Sequence, residues 1–452
     1  MFQYFVLYST FLTVVHRRLS YDLSIKVDLQ HSTMTPVLPF DIFTLIIDIV
    51  GENKDTDLLK ELSLVSYSFL QNCSKHLFST VELHGAAPKH YIDTSNKGFV
   101  KLLRSRPEVV RHIRKLSYKI GLGDNRYPLS QLQPTHRCHP SSDDDDYHLL
   151  APILLKFLRK IPYLNCLTIA AAVMDWNTLD SSLTSALLHL VHLPTINHIE
   201  ISCIRNFPLS SLTSSINLHR LDIFDMFDAG AGREDGSFEI VQSEMMLREF
   251  RTFNSPGLTT KLLHIKMQDG RPAFNCMDLR RLSMSFNQSE DERNIRYILQ
   301  NAKLLEKLHL SVHFLRSIVG LLSPSVRYAL KVLDLTVYLY RFSVYPLSGV
   351  CEELEAMAGH NMLESLSFEI NVDGHETEDF IGSVIQKVEE ILVKPGWSAL
   401  RQVSFKVSCQ TNRANRTKME ALRSLPDEYL SHLPKLESVS FKYSANVCES
   451  SQ

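Results

Sequence analysis

Leu305-Glu306-Lys307-Leu308-His309-Leu310 and Leu363-Glu364-Ser365-Leu366-Ser367-Phe368 share one arrangement, apolar-x-x-apolar-x-apolar, whose recurrence decides the fold. Apolar residues two apart on a strand point to one side, and the residue between them points to the other. The unit returns along the chain. It is found as Phe78/Val81/Leu83, Ile113/Leu116/Tyr118, Leu164/Leu167/Ile169, Ile196/Ile199/Ile201, Leu218/Leu221/Ile223 and Leu279/Leu282/Met284. It continues as Leu330/Leu333/Leu335, Leu400/Val403/Phe405 and Leu436/Val439/Phe441, with Leu247/Phe250/Phe253 as a more widely spaced variant. The units lie mostly 22 to 37 residues apart, which leaves room for one short strand and one helix in each.

Three units share a junction: Ile161-Pro162-Tyr163-Leu164, Leu193-Pro194-Thr195-Ile196 and Leu433-Pro434-Lys435-Leu436. A helical run precedes each, over 148–160, 183–192 and 419–432. The proline ends the helix and passes the chain into the strand. Further helices are predicted over 291–302, with Ile295, Ile298, Leu299 and Ala302 at core spacing, and over 376–393. The second carries Phe380, Ile381, Val384, Val388, Ile391 and Leu392, with Thr377 as a cap.

The pattern resembles degenerate leucine-rich repeats. A regular member places an asparagine three residues beyond the last apolar position, and here only Asn287 and Asn371 do so. The resemblance therefore implies an irregular solenoid, parallel strands inside and helices outside, with loops of variable length.

A different pattern stands near the start. Leu38-Pro39 precedes Ile42, Leu45, Ile46 and Ile49 at helical spacing, and Gly51 is read as a stop. Asp55 or Thr56 caps a second helix carrying Leu58, Leu59, Leu62 and Val65, and a third segment carries Phe69 and Leu70. Such a unit is marginal without something to pack against. Leu38-Pro39, the apolar Ile42/Ile46/Ile47, the run Leu62-Ser63-Leu64-Val65-Ser66 with Phe69, and the closing His76-Leu77-Phe78 resemble a fungal-type F-box over residues 38–83. It departs from the family at Phe40-Asp41, where an acidic residue often stands directly before the helix.

The fold class expected is therefore α/β: a three-helix F-box followed by an irregular leucine-rich-repeat solenoid. The segments expected are 1–33 as an extension, 34–83 as the F-box, 84–445 as the repeats and 446–452 as a tail. The family resemblance implies a substrate adaptor of a Skp–cullin–F-box ubiquitin ligase, monomeric within that complex. The helices would dock on the Skp-family adaptor, and the repeats would hold a protein substrate. The docking residues expected are Leu38, Pro39, Ile42, Ile46, Ile47, Leu58, Leu62, Val65 and Phe69, some of them turned instead toward the repeats. The substrate residues expected are the outward positions His219, Arg220, Arg280, Arg281, Glu306, Lys307 and Arg401. A scaffold acting outside ubiquitin transfer is the alternative reading, and a plain repeat protein held at a membrane by residues 1–15 is another.

Composition is compatible with this reading. An apolar fraction of 44% suffices for a large core, and a net charge of −2 supplies no field for nucleic acid or an anionic membrane. The cluster Arg111, His112, Arg114 and Lys115 reads as a solvated strand edge. None of the 8 cysteines forms a Cys-x-x-Cys pair, so a reduced cytoplasmic or nuclear protein is expected. Met1–Val15 is apolar but shorter than the ~20 residues of a membrane span. Met34, just before Leu38, is the expected natural start. Stretches 119–148 and 226–238 have loop composition. The first holds His136, Cys138, His139, His148 and the run Asp143–Asp146, a ligand-like set without standard metal spacing. The chain carries no phosphate-loop, nucleophile-elbow or His-Glu-x-x-His motif, and no enzyme, metal or cofactor is expected.

Overall fold

Three helices open the described part of the chain: α1 (Phe40–Glu52), α2 (Thr56–Ser63) and α3 (Tyr67–Leu77). The computed structural model describes residues 40–85, 97–120, 154–226, 240–287, 289–312, 320–339, 348–359, 361–373, 378–411, 416–430, 432–435 and 438–449. Leu38, Pro39, the first 33 residues, Met34, Thr377, Leu436, the histidine–aspartate stretch and most of 226–238 lie outside them. The chain forms two units. One comprises Met1–Ile169 with Asp180–Ile196, the other Ala170–Leu179 with Asn197–Gln452.

In the first unit, Asp55 accepts the Leu58 N–H at 3.0 Å and Ser66 accepts the Phe69 N–H at 3.3 Å, which caps α2 and α3. Ile47, Val50, Leu58, Leu59, Leu62, Phe69 and Cys73 form their common core, with Phe43 against Phe69. Asp48 on α1 accepts from Lys75 at 2.6 Å and His76 at 2.8 Å on α3, and these bonds hold its carboxyl below the usual range.

Gly51 does not end α1. The helix runs on to Glu52, and Lys54 makes the left-handed turn with φ of 57°. Glycine is needed because a Cβ there would sit 2.2 Å from His76 Nδ1. Alanine normally favours a helix over glycine by ~1 kcal/mol. Here Gly51→Ala is expected to destabilise by about 1–3 kcal/mol, because His76 must leave Asp48. An unchanged denaturant midpoint would show that the ring swings aside freely.

Strand β1 (Thr80–Gly85) pairs in parallel with β2 (Lys115–Ile120), after α4 (Lys97–Ser105). The chain then enters β3 (Cys166–Asp175), and Asp180 caps α5 (Ser181–Val191).

The second unit opens with three strands and then alternates helices and strands: β4 (His198–Arg205), β5 (Arg220–Phe224), β6 (Glu249–Phe253), α6 (Pro256–His264), β7 (Arg281–Phe286), α7 (Ser289–Asn301) and β8 (Lys307–Val312). There follow α8 (Pro324–Ala329), β9 (Val332–Leu339), α9 (Ser348–Met357), β10 (Ser365–Asp373), α10 (Glu378–Leu392), β11 (Gln402–Thr411), α11 (Arg416–Tyr429) and β12 (Ser440–Glu449). β12 thus runs into the expected tail. From β4 to β12 each strand lies beside the next in sequence, and every pair is parallel. This is an α/β fold with a large parallel sheet.

The register carries the sequence pattern. Ile199, Leu221, Phe250, Leu282, Leu308, Leu333, Leu366, Val403 and Phe441 align across the strands. All but the edge residue Phe441 are buried. One backbone device repeats with them. The carbonyl just before each strand accepts two successive N–H groups of the next unit. His219 O takes Arg248 and Glu249, Arg248 O takes Arg280 and Arg281, and Arg280 O takes Glu306 and Lys307. Glu306 O takes Lys331 and Val332, and Glu364 O takes Arg401 and Gln402. Two lone pairs on one oxygen thus fix where each strand starts.

Two expectations change. In the wide variant the inward residue after Phe250 is Thr252, which keeps the regular spacing. Its hydroxyl is buried and bonded to Thr259 Oγ1 at 3.0 Å, while Phe253 turns outward and stacks on Phe224. Asn371 does not serve a turn, because it lies inside β10 paired with Tyr338 and Ser408. Asn287 does follow β7, and its Nδ2 donates to Asn254, which donates in turn to Asp225. Helices stand where predicted over 183–192, 291–302, 376–393 and 419–432, while 148–153 of the predicted 148–160 helix lie outside the described residues. Ile295, Ile298, Leu299 and Ala302 are buried, and so are Ile381, Val384, Val388, Ile391 and Leu392.

Candidate interaction surfaces

Helix α1 is apolar nearly all round, which a surface helix sustains only if both faces have something to cover them. Its own unit covers one face, through Ile47 and Val50 with Phe43 and Ile46 at the margin. Phe40, Ile42, Leu45 and Ile49 form the other, with Leu45 56% and Ile49 50% exposed. Leu64 at the end of α2 is 86% exposed, and Tyr67 at the start of α3 is exposed as well.

The expected docking residues are thereby sorted. Ile42 is exposed, while Ile46 and Val65 are half-buried. Ile47, Leu58, Leu62 and Phe69 are corrected: they fill the core of the three helices and cannot meet a partner without unfolding it. Sequence reading missed Phe40, Leu64 and Tyr67 as exposed residues and noted Leu45 and Ile49 only for their spacing. The signal available was the i, i+3, i+7 row of 42, 45 and 49, set apart from the 43, 46, 47, 50 row.

The outward face of the second unit is charged. Arg220, Arg281 and Lys307 lie there, each first in its strand. His219, Arg280, Glu306 and Arg401 sit one residue earlier, at the start of the strands, where their carbonyls make the repeated backbone bonds. Arg280 and Glu306 border a cavity of about 260 Å³ with Leu304, Tyr328, Lys331 and Met362.

On that outward face Asp222 is 1% exposed, yet charged. Arg220 holds its carboxylate with both Nε and Nη2, down to 2.7 Å, and His198 Nε2 lies at 3.1 Å. Burial alone would raise the carboxyl, but the bonds from His198 and Arg220 outweigh it and hold it below the usual range. Glu249 links Arg220 onward to Arg281. His198, Glu200 and Asp222 bring one nitrogen and two carboxylates within 4.8 Å of one another. Arg220 already occupies both oxygens of Asp222, so the set acts as an ion-pair network.

Because the Asp222 pKa is depressed in the folded state, its stabilisation is present above the unfolded carboxylate value near 3.9 and is lost as pH falls through the lower folded value. Asp222→Asn should cost roughly 1–3 kcal/mol at pH 7, since the buried carboxylate's charge-assisted bonds to the partly exposed Arg220 and His198 are lost. The deficit should shrink in urea melts repeated well below pH 4. A deficit independent of pH would contradict this account.

The chain is thus an α/β protein of repeated strand–helix units with an apolar helical face near its start. No family model matches it, and no curated protein matches it significantly. Among the described residues no helix is long and apolar enough to cross a membrane.

Proposed function

We propose that this chain is the substrate-recognition adaptor of a Skp–cullin–F-box type ubiquitin ligase. On this reading the three helices are an F-box and the strand–helix units a degenerate leucine-rich-repeat solenoid working in the cytoplasm or nucleus. The observation that carries it is the uncovered apolar face of α1, Phe40, Ile42, Leu45 and Ile49, on a helix whose opposite face is already packed. The F-box-like Leu38-Pro39 stands just before it. A Skp-family subunit would cover that face, and the repeats would hold a target protein near the charged ubiquitin-conjugating enzyme. The protein itself makes and breaks no bond. It supplies effective concentration and orientation.

The test is affinity capture of the full chain, with mass spectrometry of what accompanies it. Co-purification of a Skp-family adaptor together with a cullin is the expected result. Adaptor without cullin would favour the scaffold reading, and neither would overturn both.

A further inference from the structure

One row of exposed apolar side chains in the second unit is separate from its charged outward face. Met246, Met277, Leu304, Tyr328 and Met362 each stand one or two residues before the first apolar position of successive units, and all are exposed. They therefore follow one rim of the sheet, at the strand starts of β6 to β10. Leu304, Tyr328 and Met362 converge on the cavity of about 260 Å³ that Arg280, Glu306 and Lys331 border. Exposed methionine and tyrosine in such a row are costly to leave in water, and they suit adaptable binding.

The charges narrow the occupant. Glu306 is shared between Arg280 at 3.4 Å and Lys331 at 3.7 Å. Both pairs are long and solvent-exposed, so they contribute little, and two cations on one carboxylate leave a positive excess. A second copy of the chain meeting this rim through a two-fold axis would set like charges together. The row crosses five neighbouring strands, roughly 20 Å at a strand spacing of about 4.8 Å. That length suits an extended peptide better than a small molecule.

We propose that this rim binds an extended, acidic segment of a partner protein. One large apolar side chain of the segment enters between Leu304, Tyr328 and Met362, and an adjacent carboxylate takes Arg280 and Lys331. The proposal deepens the adaptor reading by giving the chemistry of the substrate segment, and it concerns the rim that holds Arg280 and Glu306.

The probe is an array of decapeptides, each with one leucine, phenylalanine or methionine flanked by glutamates, and a matching set flanked by lysines. Full-length protein should bind members of the glutamate set saturably and leave the lysine set unbound. Met362→Glu and Lys331→Glu should each weaken that binding at least tenfold without altering the melting temperature. Where Lys331→Glu shifts melting, Arg280→Ala takes its place. Absence of saturable binding, binding insensitive to these substitutions, or a solution dimer dissociated by Met362→Glu would overturn the proposal. Adaptor capture is measured on the same preparations. Capture without peptide binding sinks the rim assignment alone, and peptide binding without capture sinks the ligase reading alone.

Discussion

Leu45→Asp with Ile49→Asp will abolish capture of the Skp-family adaptor while leaving the protein folded. Both side chains are half or more exposed on α1, one helical turn apart, so neither substitution opens a cavity. On the proposed reading both become buried against the adaptor. A few buried apolar anchors dominate such interfaces, and each large aliphatic side chain contributes about 1.5–3 kcal/mol on burial. A carboxylate placed there adds a desolvation cost, so the loss should exceed about 100-fold in affinity, the equivalent of ~2.7 kcal/mol. Ile47→Ala is the counterpart on the other face. It should cost roughly 2–5 kcal/mol of stability, because Ile47 is fully buried, and leave adaptor affinity near normal wherever the helices remain folded. Binding data for the purified variants, read beside their thermal melts, separate the two faces. Adaptor capture that survives the double aspartate variant would show that this face does not dock.

Glu389→Ala is expected to give the largest local loss of stability. Glu389 is a buried carboxylate on α10, and its Oε1 accepts the N–H groups of His432 at 2.8 Å and Leu433 at 2.7 Å. These bonds hold the short turn over Leu433–Lys435 that leads to β12, with Leu433 fully buried. Alanine leaves both donors without this acceptor. At about 1–3 kcal/mol for each stranded donor, the loss should reach roughly 3 kcal/mol or more. Glu389→Gln keeps an acceptor oxygen and should recover much of it. Hydrogen exchange localises the effect: the amides of His432, Leu433 and β12 should exchange faster in the alanine variant. Unchanged protection there would mean that the turn is held by its own packing.

The apolar-x-x-apolar-x-apolar units specify the strands of the sheet. Alternation along a strand is a local property, and stacking nine such strands in register needs only that each bury the same face. The helices between them were legible for the same reason, through the spacing of Ile295, Ile298 and Leu299. The two faces of α1 were half legible. The sequence shows that too many apolar residues crowd one helix, but not which of them the neighbouring helices already cover. Only the packing of Ile47 with Leu58, Leu62 and Phe69 separates core from free surface. Tertiary structure alone also decided that Gly51 answers the ring of His76, a partner 25 residues away in sequence. The same holds for Arg280 and Glu306, which border a rim cavity while their chain neighbours Arg281 and Lys307 face outward. The boundary between the two units is likewise invisible to the repeat, which reads the same on both sides of it. Local periodicity dictates which face a residue takes. Which faces meet, and which side chain finds a buried partner far along the chain, depends on contacts that no local pattern encodes.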